Sequence, residues 1–156
     1  IARLMASVEK PALYVLDNAP NCSADRINER SEAFFRVIRD AHPDVPVVIV
    51  EHPLYPTMRL NNYAREDITA RNNAQKAFYE KLRKAGEKRI YYVSADKLLD
   101  EMKEGTVDGN HFTDLGVTYY VNAILPTIKK ALKASPYPMF RSTSVGFSGS
   151  FSYSPQ

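Results

Sequence analysis

Three short runs of β-branched and aromatic residues predict β-strands at residues 12–17, 46–51 and 89–94. The first two runs are almost continuously apolar, whereas a strand with one solvated face alternates apolar and polar residues. Continuous burial is typical of a parallel sheet that helices cover on both faces. The runs therefore predict an α/β domain with a buried sheet.

Segments with helical period separate and follow these strands. The first predicted helix begins after Ser23, which is a suitable N-cap. The second spans residues 63–85 and ends at Gly86, which we expect to adopt the left-handed cap conformation. The third begins at Thr113 and continues past Pro126, which we expect to bend it. The inward faces are predicted from apolar spacing as Ile27, Phe34, Ile38 and Ala41, then Ala74, Ala77, Phe78 and Leu82, then Val117, Val121, Ile124, Ile128 and Leu132.

The alternation of helices and buried strands predicts right-handed βαβ units and a three-layer α/β/α domain. Three strands are fewer than the roughly five to six of an average sheet, and residues 1–9 resemble the end of an earlier helix. We therefore expect the domain to be incomplete at its N-terminus. Residues 134–156 are rich in serine, proline and aromatic residues. They predict a tail, or an arm that packs on this subunit or on a neighbouring one and could support an oligomer.

Composition narrows the function classes without selecting one. Of 156 residues, 44% are apolar and 25% are charged, and the formal net charge is +3. This small charge argues against a nucleic-acid groove, and no run approaches the roughly 18 to 20 apolar residues of a membrane span. The single cysteine, Cys22, excludes a disulfide framework within the chain and a zinc site built from several thiolates. No signal peptide is visible, so the sequence leaves the compartment open.

Candidate chemistry lies beyond the carboxyl ends of the strands, where ligands bind in an open α/β sheet. Residues 17–21 (DNAPN) follow the first strand, and residues 108–111 (DGNH) precede the last helix. In a tight turn, Asp108 can accept a hydrogen bond from one ring nitrogen of His111, which leaves the other nitrogen as a base for a hydroxyl nucleophile. An ordinary turn with a surface histidine has the same spacing. Spacing alone therefore does not identify a catalytic pair.

The residues around this pair resemble the SGNH, or GDSL-like, hydrolase superfamily. Its final motif is an Asp-x-x-His turn that leads into the last helix, and residues 108–116 (DGNHFTDLG) are similar to it. Residues 13–21 (LYVLDNAPN) and 42–51 (HPDVPVVIVE) are similar to a bacterial branch of the superfamily. The resemblance covers residues 1–133. It implies a flavodoxin-like α/β/α sandwich that hydrolyses carboxylic esters through an acyl-enzyme.

The resemblance also implies roles for three side chains. His111 would act as general base and then as general acid, Asp108 would orient it, and Asn21 would donate a hydrogen bond to the oxyanion. Since Pro20-Asn21 replaces the commoner Gly-x-Asn-Asp form, Asn18 is a rival donor, and an Asx turn is the structural alternative for both asparagines. We expect no cofactor and no metal, and a small-molecule or carbohydrate ester as the substrate. The resemblance favours a periplasmic or secreted protein.

The nucleophile of this mechanism is not identifiable in the sequence. The superfamily carries its serine in a Gly-Asp-Ser motif near the N-terminus, and this chain contains no Gly-Asp-Ser. Residues 145–150 (VGFSGS) resemble a glycine loop of the superfamily, although a chance match in a low-complexity tail is the favoured interpretation. A chain that has lost its nucleophile would be a binding module for a glycan or a small ester, which is the alternative function. A nucleotide-binding domain fits less well, because Pro20 removes a backbone donor where a phosphate loop would lie.

Other polar residues near the strand ends are weaker candidates. His52 follows Glu51, but adjacent strand residues point to opposite faces, so they are not expected to act as an acid–base pair. His42 is expected at a helix end, where it meets the helix dipole. Three arginines after the second strand could contact a carbohydrate or acidic substrate: Arg59, Arg65 and Arg71.

Overall fold

The computed structural model describes residues 1–99 and 104–137, which form an alternation of helices and strands. The elements are α1 (Ala2–Ala6), β1 (Tyr14–Leu16), α2 (Ala24–Ala41), β2 (Val47–Val50), α3 (Asn62–Lys84), β3 (Ile90–Val93) and α4 (Asp114–Leu132). A short 3₁₀ turn follows each strand: Ala19–Asn21, Pro56–Arg59 and Ala95–Lys97. All three predicted strands and all three predicted helices are present, and the strands are shorter than predicted.

The three strands form one parallel sheet in the order β1-β2-β3. Tyr14 is the partner of Val47, which is in turn the partner of Ile90, so the carboxyl ends of all three strands lie at one edge. Every residue of the central strand β2 is buried, as its continuous apolar run predicted. Val15 in β1 is 38% exposed. For β1, the prediction of a strand covered on both faces is therefore wrong within the part of the chain that the structure describes.

Two hydrophobic clusters on opposite faces of the sheet make the three layers. On one face, α2 and α3 pack against the sheet and against each other, with Phe35 and Phe78 in an edge-to-face contact at 6.2 Å between ring centroids. On the other face, α4 packs against Val48 and Val50 of β2. The sheet lies between these helices, because its apolar side chains alternate toward the two sides. The observed layers agree with the predicted α/β/α architecture.

The predicted inward face of α4 is partly wrong. Val117 and Val121 are 47% and 43% exposed, and the buried positions of the helix are Gly116 and Ala131. Gly116 packs on the backbone of Gly105, and Ala131 packs in the cluster with Val48 and Val50. Small residues thus make the close contacts of this helix, so hydrophobicity alone did not give its orientation. The helix continues through Pro126, as predicted. Two alanines assigned to the inward faces of α2 and α3 are exposed as well: Ala41 and Ala77.

The helix ends follow the sequence signals closely. The hydroxyl of Ser23 accepts a hydrogen bond from the backbone N–H of Arg26 at the start of α2. Gly86 has a φ of 91°, and the N–H of the following residue, Glu87, donates to the carbonyl of Leu82 at 3.1 Å. This is the glycine cap predicted for α3. His42 is the C-cap of α2, which confirms its position at a helix end.

The described part of the chain ends shortly after α4. Tyr137 packs against the cluster formed by α2, α3 and the sheet. The predicted tail lies mostly outside the described residues, and so does the segment 145–150. The boundary near residue 133 and the proposed arm therefore stay predictions. No helix in the described ranges is both long enough and apolar enough to cross a membrane.

Candidate active site

The turn at residues 108–111, here called the Asp–His turn, joins Asp108 and His111. Oδ2 of Asp108 accepts a hydrogen bond from Nδ1 of His111 at 2.7 Å. Oδ1 of Asp108 accepts the backbone N–H groups of Asn110 at 2.9 Å and of His111 at 2.8 Å. One four-residue turn thus engages both carboxylate oxygens. The predicted contact between Asp108 and His111 is present in the structure.

These hydrogen bonds hold the pKa of Asp108 well below its usual range. The backbone N–H of His111 makes the largest contribution, followed by the imidazole of His111 and by the N–H of Asn110. The carboxylate therefore stays ionised and keeps the proton of the neutral imidazole on Nδ1. The lone pair of the ring is then on Nε2, the nitrogen that can accept a proton.

Contacts with another loop fix the position of the Asp–His turn. Gly109 has a φ of 87°, and a Cβ at this position would lie 2.3 Å from Cγ2 of Thr57. The hydroxyl of Thr57 donates a hydrogen bond to the carbonyl of Gly109 at 3.2 Å. Thr57 belongs to the 3₁₀ turn Pro56–Arg59 after β2. The Asp–His turn is therefore held against the carboxyl end of the central strand.

A row of aromatic rings connects the Asp–His turn with the end of β1. Phe112 follows His111 and contacts Tyr55 and Tyr120, with ring centroids 6.2 Å and 5.3 Å apart. The hydroxyl of Tyr120 donates to Oδ2 of Asp17 at 2.7 Å. Asp17 is the first residue after β1. The two sequence segments that carry candidate chemistry thus lie at the same edge of the sheet.

The two candidate oxyanion donors have different surroundings. Oδ1 of Asn18 accepts a hydrogen bond from Nε2 of Gln75 in α3 at 3.3 Å, so this side chain is held against the helix. Asn21 is exposed, and its side chain makes no hydrogen bond to a residue in the described ranges. These surroundings leave the amide of Asn21 available to a ligand. The oxyanion role of either asparagine stays a prediction.

Arg71 of α3 fixes the turn that carries Asn21. Its Nη1 donates to the carbonyl of Pro20 at 2.8 Å and to the carbonyl of Ala19 at 3.3 Å. Its Nη2 pairs with Asp67 at 2.7 Å. Arg71 therefore has a structural role, and its substrate contact stays a prediction. No local pattern could have shown this, because 51 and 52 positions separate Arg71 from the two carbonyls.

Glu51 and His52 at the end of β2 have separate partners. The carboxylate of Glu51 accepts hydrogen bonds from the hydroxyl of Tyr92 and, at 2.6 Å, from the backbone N–H of Ala95. Nδ1 of His52 hydrogen-bonds the carbonyl of Pro53 at 2.7 Å. As the alternation of strand residues predicted, they do not form an acid–base pair.

A nucleophile next to His111 is not found among the residues that the structure describes. The imidazole is 76% exposed, and its only hydrogen bond within residues 1–99 and 104–137 is the one to Asp108. No serine or threonine hydroxyl in these ranges contacts Nε2. The described residues therefore supply a carboxylate and an imidazole but no nucleophile beside them.

Comparisons with known proteins give a match to one family model and to several solved structures. A model of the GDSL-like Lipase/Acylhydrolase family matches residues 1–129. A GDSL-like lipase from Bacteroides ovatus ATCC 8483 is 34% identical with a TM-score of 0.80, and the match covers 85% of this chain and 39% of that one. The chain thus spans well under half the length of this relative. No curated protein matches the chain.

Two further solved structures share the fold at low identity. The salicylyl-acyltransferase SsfX3 from a tetracycline biosynthetic pathway is 18% identical with a TM-score of 0.66, over 83% of this chain and 40% of that one. An acetyl esterase mutant with an acetate ion is 18% identical with a TM-score of 0.58, over 85% of this chain and 68% of that one. Together with the parallel sheet, the similar structures confirm the predicted α/β sandwich.

Proposed function

We propose, because the chain belongs to the GDSL-like lipase/acylhydrolase family, that it carries the base, the orienting carboxylate and an oxyanion donor of a serine-type ester hydrolase. The observation behind the proposal is the hydrogen bond of 2.7 Å between Asp108 and His111. Its position at the carboxyl edge of the sheet, where ligands bind in open α/β folds, supports the same function. The proposed substrate is an acylated carbohydrate or another small ester.

In the proposed reaction, Nε2 of His111 takes the proton of a serine hydroxyl while the serine oxygen bonds to the carbonyl carbon of the ester. The electrons of the carbonyl double bond move to oxygen, and the amide of Asn21 donates a hydrogen bond to the resulting oxyanion. When the intermediate collapses, the bond to the alcohol oxygen breaks, and His111 returns the proton to the alcohol. Water then hydrolyses the acyl-enzyme by the same steps and releases the carboxylic acid.

Asp108 acts through His111 in this scheme. Its low pKa means that it does not take the proton from the imidazolium. It stabilises the positive charge that forms on the ring, and in the neutral ring it holds the proton on Nδ1 so that the lone pair is on Nε2. The serine hydroxyl has to come from a residue outside the described ranges.

A non-catalytic binding module is the second candidate function. The observation that favours it is the absence of a hydroxyl at Nε2 of His111 within the described residues. In such a protein, the same edge of the sheet would bind a glycan or a small ester without cleaving it. Only an activated serine distinguishes the two candidates.

A fluorophosphonate probe distinguishes the esterase from the binding module, because it reacts covalently with activated serines. We expect the protein to be labelled and to hydrolyse p-nitrophenyl acetate. We expect His111→Ala to lose both properties, with a fall in kcat of at least about a thousandfold, and to keep its melting temperature because the ring is exposed. His42→Gln, which replaces a histidine at the end of α2, is the matched control. An unlabelled and inactive wild-type protein would favour the binding module, and an active His111→Ala protein would remove His111 as the base.

A further inference from the structure

His52 occupies the carboxyl end of the central strand and has no role in the mechanism above. The residue is 5% exposed. Its backbone N–H donates to Oδ1 of Asn72 at 2.7 Å, and its carbonyl accepts from Nδ2 of Asn72 at 2.9 Å. The side chain amide of Asn72 therefore holds the backbone of His52 at both polar groups.

The ring of His52 offers one hydrogen-bond acceptor. Nδ1 lies 2.7 Å from the carbonyl of Pro53, which can only accept, so Nδ1 carries the proton. Burial lowers the pKa of His52, which favours the neutral ring. Nε2 then has a lone pair, and no residue in the described ranges donates to it. This nitrogen is not one of the described side-chain atoms that are both sealed from solvent and unpaired, so it is open to a donor that a ligand brings.

Tyr55 connects His52 with the Asp–His turn. Its ring packs edge-to-face on His52, with centroids 5.1 Å apart, and on Phe112, with centroids 6.2 Å apart. Phe112 directly follows His111, so Tyr55 contacts both His52 and the residue next to the proposed base. The hydroxyl of Tyr55 makes no hydrogen bond to a described residue.

Negative charge predominates at this position, because Arg71, the cation that acts on His52, is paired with Asp67. Burial, and then the charges of Asp17 and Asp108, raise the pKa of Tyr55, so its hydroxyl stays protonated. The two carboxylates disfavour an anionic ligand near the ring. The nitrogen of His52 can accept from a donor, and the hydroxyl of Tyr55 can donate or accept. A neutral ligand with several hydroxyl groups and an apolar face satisfies all of these conditions.

We propose that Nε2 of His52 and the hydroxyl of Tyr55 form a subsite for hydroxyl groups on the alcohol part of the ester, so that the substrates are esters of neutral sugars. The subsite rests on the proposed esterase function and names its substrate class. The two residues determine specificity in this scheme, and the Asp–His turn acts on the ester bond beside them. A site that hydrogen-bonds a substrate hydroxyl discriminates strongly against an analogue that lacks it.

The test compares two esters on the same protein, an acetylated methyl glucopyranoside and p-nitrophenyl acetate, whose alcohol part has no hydroxyl to donate. His52→Phe keeps a ring and removes the acceptor, whereas His52→Gln keeps an acceptor at a similar distance. For His52→Phe, we expect the ratio of kcat/KM for the glycoside to kcat/KM for the aryl ester to fall about 30-fold or more, mainly through KM. His52→Gln should restore most of this ratio, and His42→Gln should not change it.

Tyr55→Phe is a second variant that keeps the ring packing and removes only the hydroxyl. We expect it to lower the same ratio about tenfold, so the test does not depend on whether His52→Phe folds. A ratio that both variants leave at the wild-type value overturns the subsite, even if the protein is an active esterase. An equal loss on both esters also overturns it, because that result indicates a structural role.

Binding of the product separates failure of the subsite from failure of the esterase function. Saturation-transfer NMR with unmodified methyl glucopyranoside requires no catalysis. A wild-type protein that cleaves neither ester, but binds the glycoside and loses this binding in His52→Phe, supports the subsite and overturns the esterase. A wild-type protein that cleaves the aryl ester but shows no saturation transfer to the glycoside overturns the subsite alone.

Discussion

The two turns at the carboxyl edge of the sheet are built in opposite ways. The Asp–His turn makes its main contact within four residues, since Asp108 and His111 are three positions apart and 2.7 Å from each other. The turn Ala19–Asn21 depends on Arg71, which lies 51 positions after Pro20 in the chain. Local sequence thus determines the first geometry, and the packing of α3 determines the second.

This difference separates two kinds of variant. Substitutions of Asp108 and His111 should remove chemistry and leave the fold intact, because these two side chains are exposed. Substitutions around Ala19–Asn21 should change the position of a donor, and residues far away in sequence should have the same effect. Five predictions test the contrast, from the largest expected effect to the smallest.

The largest effect is expected for Asp108→Asn. The new oxygen can still accept the backbone N–H groups, but the amide nitrogen cannot accept from Nδ1 of His111, so the ring would hold its proton on the wrong nitrogen. We expect kcat to fall about 10⁴-fold with little change in melting temperature. Steady-state kinetics measures the fall in kcat, and thermal unfolding measures the melting temperature. A loss below about tenfold would show that Asp108 does not orient the base.

Asn21→Ala should lower kcat by about 10² to 10³, as the loss of an oxyanion donor does. KM should change much less, because the interaction strengthens when negative charge develops on oxygen. Asn18→Ala is the matched control, since Asn18 has the same amide three positions earlier but bonds Gln75. If kcat falls more for Asn18→Ala than for Asn21→Ala, the oxyanion donor is Asn18 and not Asn21.

Gly109→Ala should destabilise the Asp–His turn through backbone strain and a steric clash. A residue with a Cβ is disfavoured at a φ of 87°, and its Cβ would lie 2.3 Å from Cγ2 of Thr57. We expect the free energy of unfolding to fall by about 1 to 2 kcal/mol, measured by denaturant titration. Thr57→Ser removes the methyl group, so the double variant should recover part of the loss. Full recovery would show that the steric clash, and not the backbone strain at this φ, causes the loss of stability.

Arg71→Met should lower kcat about tenfold, which is less than the hundredfold loss that a misplacement of 1 Å can cause. The reason is that the carbonyls of Ala19 and Pro20 lose their donor, and the turn that carries Asn21 can move. Arg65→Met on the same helix is the control, because within the described ranges the side chain of Arg65 bonds only Asn62, three positions before it. If the two variants have equal kcat, Arg71 does not position the turn.

The smallest effect concerns the pH dependence of stability at His52, which lies at the end of β2 near both turns. Burial lowers its pKa, and the charge of Arg71 acts in the same direction, against the opposing charges of Asp67 and Asp17. Below the unfolded pKa of about 6.5, the unfolded chain binds a proton that the folded chain does not, so stability falls as the pH decreases. His52→Gln should therefore lose less melting temperature than the wild type between about pH 7 and pH 5.5. Parallel curves for the two proteins would contradict the lowered pKa.

Most of the fold could be predicted because each element has a strong local cause. Continuous apolar runs marked the strands, and Ser23 and Gly86 marked helix ends at which the structure has a cap. The orientation of α4 could not be predicted in this way, since Gly116 faces inward while Val117 is exposed. Close packing on small residues, not hydrophobicity, decides that rotation.

The candidate site also has one part with a local cause in the sequence and one part that depends on tertiary packing. The sequence by itself determined the pair Asp108 and His111, because a turn of four residues is enough to join a carboxylate to an imidazole. Only the tertiary structure decided that Arg71 holds the turn of Asn21 and that the lone pair of His52 has no protein partner in the described ranges. These arrangements need contacts between α3, the strand ends and the turns, and sequence separations of 20 to 52 residues leave no local pattern that encodes them.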